Sequence, residues 1–291
     1  MINMGKDENL DKILNRIDAL CEKRPSHKEV LKFLKQVITE QSKIKPEIKI
    51  DSIDINENIA KIKCKEGFPL VSKEDIRFDV DLATTLFNRL CEILNERVSE
   101  DIKKINKAID GQELDLEELF KKALPENGNH IKAVAQNLGL NQFLLSFLAK
   151  NTLKPFFEAY ANELKEYVDQ EHWLKNYCPV CGSEPFMAEL SEKEGKRFLI
   201  CSSCGYKWRF VRIRCPYCNN NNHKTLRYFY TEKEGRAYRV DVCDKCKRYI
   251  KTIDTNELGE EVIPAIEDVG TMYLDLLAEK QGYKRDEKTL F

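Results

Sequence analysis

The first part of the chain repeats one pattern: apolar residues three and four apart on a charged background. Leu10, Ile13, Leu14, Ile17, Leu20 and Cys21 make such a stripe over 8–23, the mark of an amphipathic helix. Arg24-Pro25-Ser26 interrupts it and offers Ser26 as the cap of a second helix with Val30, Phe33, Leu34, Val37 and Ile38 on one face. The period is lost over 44–72, where Pro46, the alternation Ile48-Lys49-Ile50-Asp51 and the turn Gly67-Phe68-Pro69 predict extended or irregular chain. Helical spacing resumes with Leu82, Leu86, Leu90 and Ile93. It continues over 100–110 behind Ser99 as cap, 115–123, 128–138 and 141–150. Pro155 suits the first turn of a further helix over 154–168. Residues 1–172 therefore read as an all-α domain.

The rhythm changes at Trp173–Tyr177. Two strand-like runs follow, Arg197-Phe198-Leu199-Ile200 and Tyr238-Arg239-Val240-Asp241-Val242, of which the second alternates cleanly. Each leads, after a short interval, to an aromatic-basic run, Tyr206-Lys207-Trp208-Arg209 and Lys247-Arg248-Tyr249. This reads as a degenerate internal repeat of two small β modules, 173–210 and 211–258. Pro264 then punctuates the chain. Ile266, Val269, Met272, Tyr273, Leu276 and Leu277 predict a last helix over 265–282, closed by Gly282, with a polar and loose tail from Tyr283. The expected class is α+β: an N-terminal helical domain, two ribbon modules, and a segment 259–291 carrying a C-terminal helix.

The chemistry lies in the modules. Eight of the eleven cysteines form four C-x2-C pairs: Cys178/Cys181, Cys201/Cys204, Cys215/Cys218 and Cys243/Cys246. Each pair sets two thiolates on one tight turn, and two such knuckles complete a tetrahedron around a metal ion. The gaps of 19 residues (Cys181 to Cys201) and 24 residues (Cys218 to Cys243) suit sequential pairing of the knuckles, with crossed pairing as the alternative. Four thiolates accept zinc or a mononuclear iron, and they leave no open position for hydrolytic chemistry. The residue after each second cysteine often needs φ > 0. Gly182, Gly205 and Asn219 suit that; Lys247 does not, so the second site is expected to be the more labile. Cys21, Cys64 and Cys91 lie in apolar patterns as small buried hydrophobes. His172 and His223 read as solvated loop residues.

Composition narrows the partners. The chain is 42% hydrophobic and 33% charged with a net charge of −1, not a polycation. Between Cys178 and Lys251, however, 16 Lys and Arg face eight Asp and Glu, a local balance of +8. Those cations either offset the charge of two tetrathiolate sites or present a basic surface to a partner. The first ten residues lack the apolar core of a secretory leader, and no segment is apolar enough to span a bilayer, which points to a reduced cytoplasmic setting. Phosphate loops and hydrolase motifs are absent. A nucleic-acid-binding zinc ribbon, with Trp208, Tyr228, Phe229 and Tyr230 interleaved among basic residues, and a redox carrier are the competing readings.

The residues around the knuckles carry a resemblance. Y-C-P-V-C-G-S-E-P-F from Tyr177, R-F-L-I-C-S-S-C-G-Y-K-W-R-F-V-R-I-R-C-P-Y-C from Arg197, and V-D-V-C-D-K-C-K-R-Y-I-K-T-I-D from Val240 resemble the FdhE family of formate dehydrogenase accessory proteins. Glu267-Asp268-Val269, Gly282-Tyr283 and the turn Gly67, Pro69, Leu70 are similar too. The resemblance implies a helical domain joined to two rubredoxin-like modules. It also implies a non-enzymatic, cytoplasmic maturation factor for a molybdenum- or tungsten-dependent formate dehydrogenase that binds its catalytic subunit. It implies metal ligation by all eight cysteines, with iron favoured over zinc. It argues against nucleic acid as a partner, and it makes a knuckle without glycine ordinary variation. A strip of Trp208, Arg209, Arg212 and Arg214 is the expected client-facing surface.

Overall fold

The computed structural model describes residues 4–285 except 51–52, 54, 125–127, 192–193, 233–234 and 259–261. Helices α1 (Met4–Lys23) and α2 (Lys28–Ile44) follow the two apolar stripes. Ser26 does not cap α2; it lies in a short 3-10 turn, and His27 holds the cap position without a side-chain bond. A helix, α3 (Glu57–Glu66), occupies chain that the sequence pattern assigns to extended or irregular structure. Its signals are local. Asn56 accepts from the N–H groups of Asn58 and Ile59, Gly67 ends the helix at φ +84°, and Ala60 and Cys64 form its buried face.

Asp79 caps α4 (Val80–Asn95). In α5 (Ser99–Asp110) Ser99 is the first helical residue rather than the cap. Asp115 caps α6 (Leu116–Ala123), and α7 (Gly128–Asn137) follows. Asn141 caps α8 (Gln142–Leu164), which runs through Pro155 as one helix where two were expected. Leu86, Phe87 and Leu90 of α4 meet Leu145, Leu148 and Phe156 of α8 in the fully buried centre of this domain. Each such side chain stabilises the fold by about 1.5–3 kcal/mol through removal from water.

The two ribbons are built alike. Strands β1 (Pro185–Ser191), β2 (Lys196–Cys201) and β3 (Lys207–Phe210) form one antiparallel meander. Strands β4 (Leu226–Phe229), β5 (Tyr238–Cys243) and β6 (Tyr249–Asp254) form the other. They do not stand apart: β1 pairs in parallel with β6, and the six strands make one sheet in the order β3-β2-β1-β6-β5-β4. Ala188, Leu199, Trp208 and Ile250 join the core of the helical domain. Met187, Ile200, Val240, Val242, Tyr249 and Ile253 form a second core with Leu274, Ala278 and Tyr283.

After α9 (Thr255–Leu258) the single terminal helix expected over 265–282 is two, α10 (Pro264–Gly270) and α11 (Met272–Lys280). They have different tasks. Ile266 and Val269 of α10 pack on Ile17, Leu20, Leu31 and Leu34 of α1 and α2, whereas Leu274 and Ala278 of α11 pack on the sheet. One straight helix could not serve both faces, and the break falls at Thr271, whose hydroxyl donates to the carbonyl of Glu267 at 2.7 Å. The tail is not loose at its start. Tyr283 is buried, and Arg285 pairs with Asp268 at 2.8 Å and Asp275 at 3.3 Å. Residues 286–291 lie outside the described chain.

Candidate metal centres

All four knuckles share one backbone device. The N–H of the first cysteine donates to the carbonyl five residues on: Cys178 to Ser183 at 2.9 Å, Cys201 to Tyr206 at 2.9 Å, Cys215 to Asn220 at 2.8 Å, and Cys243 to Arg248 at 3.0 Å. The residue after the second cysteine returns its N–H to the first cysteine's carbonyl, and it takes positive φ in every case. The values are +75° at Gly182, +68° at Gly205, +55° at Asn219 and +58° at Lys247. Lys247 is therefore held in the left-handed region that lysine avoids.

Position in the sheet brings the knuckles together in sequential pairs. Cys178/Cys181 precede β1, and Cys201 ends β2 with Cys204 just beyond it, while Cys215/Cys218 precede β4, and Cys243 ends β5 with Cys246 just beyond it. The sulfurs of Cys178, Cys181, Cys201 and Cys204 lie within 4.8 Å of one another, as do those of Cys215, Cys218, Cys243 and Cys246. The crossed arrangement is not formed. The separations test the fit to a metal. Metal–sulfur bonds of about 2.3 Å give tetrahedral sulfur–sulfur edges of about 3.8 Å. Cys178–Cys204 at 3.6 Å, Cys181–Cys204 at 3.7 Å, Cys215–Cys246 at 3.7 Å and Cys218–Cys243 at 3.7 Å meet that length. Each group could hold one ion, and His172 and His223 belong to neither.

The electrostatics ask for a cation. Burial pushes the Cys178 and Cys204 thiols well above their usual range, so four thiolates cannot coexist there unaided. Donors are aimed at sulfur in advance: the Cys204 N–H reaches Cys201 Sγ at 3.4 Å, and the Tyr217 N–H reaches Cys215 Sγ at 3.4 Å. Burial also acts to raise Cys243, yet the N–H groups of Cys246 and Lys245 and the Asn220 amide outweigh it and hold that thiol at about 7.

The two groups differ in enclosure. All four cysteines of the first are buried; in the second, Cys218 and Cys246 are half-exposed. The first is sealed by a segment whose role the sequence left open. Leu70 and Val71 donate their N–H groups to the carbonyls of Pro179 and Val180 at 2.8 and 3.0 Å, extending the chain along the knuckle. Tyr177 donates its hydroxyl to the Gly67 carbonyl at 2.7 Å. The Gly67-Pro69-Leu70 turn, visible in the sequence as a motif without a task, clamps the helical domain onto the first centre. The lone cysteines behave as expected of hydrophobes: Cys64 and Cys91 are core residues, Cys21 is half-buried, and burial pushes the Cys91 thiol up to about 12.

The expected client-facing strip is not continuous. Trp208 is fully buried, with its indole N–H donating to the Lys175 carbonyl at 3.0 Å. The same burial removes it as a platform for stacked bases. Arg212 and Arg214 instead line a cavity beside the second centre, together with His223.

Comparison with known proteins places these features. Residues 177–212 match the family model described as FdhE, central domain, and residues 213–291 match that of FdhE, C-terminal domain. The Protein FdhE homolog of Aquifex aeolicus is 31% identical over 99% of this chain and 96% of its own length. Protein FdhE of Escherichia coli strain K12 is 32% identical over 41% of this chain, which spans 37% of that relative. The crystal structure of the FdhE protein from Pseudomonas aeruginosa shares the fold, with a TM-score of 0.69 over 97% of this chain and 95% of that one at 19% identity.

Proposed function

The chain belongs to the FdhE family, and from that premise we propose that it is a maturation factor for a molybdenum- or tungsten-dependent formate dehydrogenase. It acts in the cytoplasm as a binding protein for that enzyme's catalytic subunit rather than as an enzyme. The observation that carries this reading is the relationship to an FdhE homolog along 99% of the chain.

The site geometry supports the same role. Each group of four thiolates fills every tetrahedral position, so an ion bound there would tie two knuckles together rather than meet a substrate. We assign Cys178, Cys181, Cys201 and Cys204 to one ion and Cys215, Cys218, Cys243 and Cys246 to the other, with iron as the ion in both. A filled first centre would lock the clamp at Leu70 and Val71 and so couple metal loading to the seating of the helical domain.

The test pairs genetics with direct binding. Loss of the gene should abolish formate dehydrogenase activity while its catalytic subunit is still made, and the purified subunit should bind the metal-loaded chain. Full activity in the deletion strain overturns the reading. Elemental analysis after anaerobic purification should return two irons per chain; two zincs would correct the metal and leave the role standing.

A further inference from the structure

We propose that the cavity between the 212–217 link and strands β4–β6 is a binding site for a phosphate group, either free phosphate or the phosphate of a small ester. This goes beyond the maturation role and does not rest on it. The half-open cavity has a volume of about 320 Å³ and is lined by Arg197, Arg212, Arg214, Arg227, Arg239 and Arg248, with Asp241 as the lone carboxylate among its described walls.

The arginines are not equally committed. Arg227 and Arg248 are held by carboxylates outside the cavity, Asp244 at 3.0 Å and Glu184 at 2.7 Å. Arg197 and Arg239 share Asp241, at 3.4 and 2.9 Å. Arg212 and Arg214 have no carboxylate within ion-pair distance among the described residues. Four guanidiniums thus share a half-open cavity with one carboxylate, a local surplus of positive charge.

The arrangement is built rather than incidental. The Arg197 side chain is 4% exposed, and its Nε has no hydrogen-bond partner among the described residues. Its Nη1 donates to the carbonyls of Arg212 at 3.4 Å and Arg214 at 3.0 Å, so the buried arginine fixes the link that carries both, while Arg212 Nη1 itself donates to the Glu194 carbonyl at 3.3 Å. Two others are stacked in place, Arg239 over Tyr228 at 4.7 Å and Arg248 over Tyr217 at 3.6 Å. Rigid guanidinium forks match a tetrahedral dianion, to which they donate in pairs. The volume sits at the lower end of the range for small-molecule sites, about 300–1,000 Å³.

A competing account is charge compensation. Cys215 and Cys243 touch the same cavity, and a tetrathiolate ion there would carry a negative charge that nearby arginines offset. That account predicts no ligand. Isothermal titration of the metal-loaded full chain at low salt, with inorganic phosphate and with phenyl phosphate, separates the two. One saturable site is expected. Tighter phosphate binding identifies a free-ion site, and tighter phenyl phosphate binding identifies an ester site. The double variant Arg212→Gln, Arg214→Gln removes two partly exposed side chains and should keep its metal content. Its affinity should fall at least about tenfold, equivalent to about 1.4 kcal/mol. Absence of saturable binding, or unchanged affinity in the variant, overturns the proposal. Binding of a glutamate-rich peptide without binding of either phosphate overturns it in favour of an acidic protein segment.

Discussion

The side-chain amide of Gln41 donates to the main-chain carbonyl of Asn151 at 2.8 Å, and that carbonyl is the one that Pro155 leaves without a helical donor. Both residues are buried. An orphaned buried acceptor costs about 1–3 kcal/mol, so Gln41→Leu should lower stability by about that much in a denaturant titration. In a Pro155→Ala background the restored N–H takes the carbonyl, and the same substitution should cost less. An equal cost in both backgrounds would show that the bond does not replace the missing donor.

That bond also explains why α8 was illegible as one helix. The proline was visible and argued for a break, while its remedy lay on α2, 110 residues before the carbonyl it leaves unpaired. The knuckles, by contrast, were legible because metal geometry is local: spacing favoured joining Cys178/Cys181 with Cys201/Cys204 over the crossed alternative, and the sheet forms that pairing. The parallel pairing of β1 with β6 left no mark, since each strand's pattern says which face is buried and not which neighbour it finds. α3 was different. Asn56 and Gly67 stand in the sequence as cap and stop, but the alternation at Ile48–Asp51 just before them has the period of extended chain. The split of the last helix followed from two separate cores competing for one segment, which no periodicity reports.

The second metal centre should empty first. Two of its cysteines are half-exposed, and its last knuckle holds Lys247 at φ +58°. A non-glycine residue there costs about 1–2 kcal/mol. Chelator competition followed by metal analysis should show one ion leaving early, and that ion should be the one missing from a Cys246→Ser variant. Lys247→Gly should slow the early phase several-fold. Simultaneous loss of both ions would show that neither exposure nor backbone strain sets the order.

Gly182 and Gly205 occupy equivalent positions in the two knuckles of the first centre, at φ +75° and +68°. Their surroundings differ. A Cβ at Gly182 would sit 3.0 Å from Pro69 Cγ, whereas one at Gly205 would meet nothing within 4 Å. Alanine at either site carries the same backbone strain, so the difference between them isolates the clamp. Gly182→Ala should be the less stable by about 1–3 kcal/mol, the usual range for overpacking. It should also raise protease cleavage between the helical domain and the sheet. Equal effects would mean that the turn at Pro69 yields freely and does not seal the site.

Acid should weaken the molecule through Asp268 as well as through its thiolates. Burial alone would raise this carboxyl, but the charges of Arg285 and Lys251 outweigh it and hold it below the usual carboxylate range. Lys251 Nζ lies 2.7 Å from Asp268 and 2.6 Å from Asp275, and its side chain is 1% exposed. A carboxyl whose folded pKa is depressed contributes stability above its unfolded value of about 3.9, and the contribution is lost as pH falls from there through the folded value. Asp268→Asn should cost about 1–3 kcal/mol at neutral pH, since it leaves Lys251 and Arg285 to share the one carboxylate of Asp275. It should also flatten the decline below about pH 4. Thiolate protonation is common to both proteins, so the difference between their stability curves isolates Asp268. Parallel curves through the acid range would show that the carboxyl titrates alike in the folded and unfolded chain, and that α10 is anchored by Ile266 and Val269 rather than by this ion network.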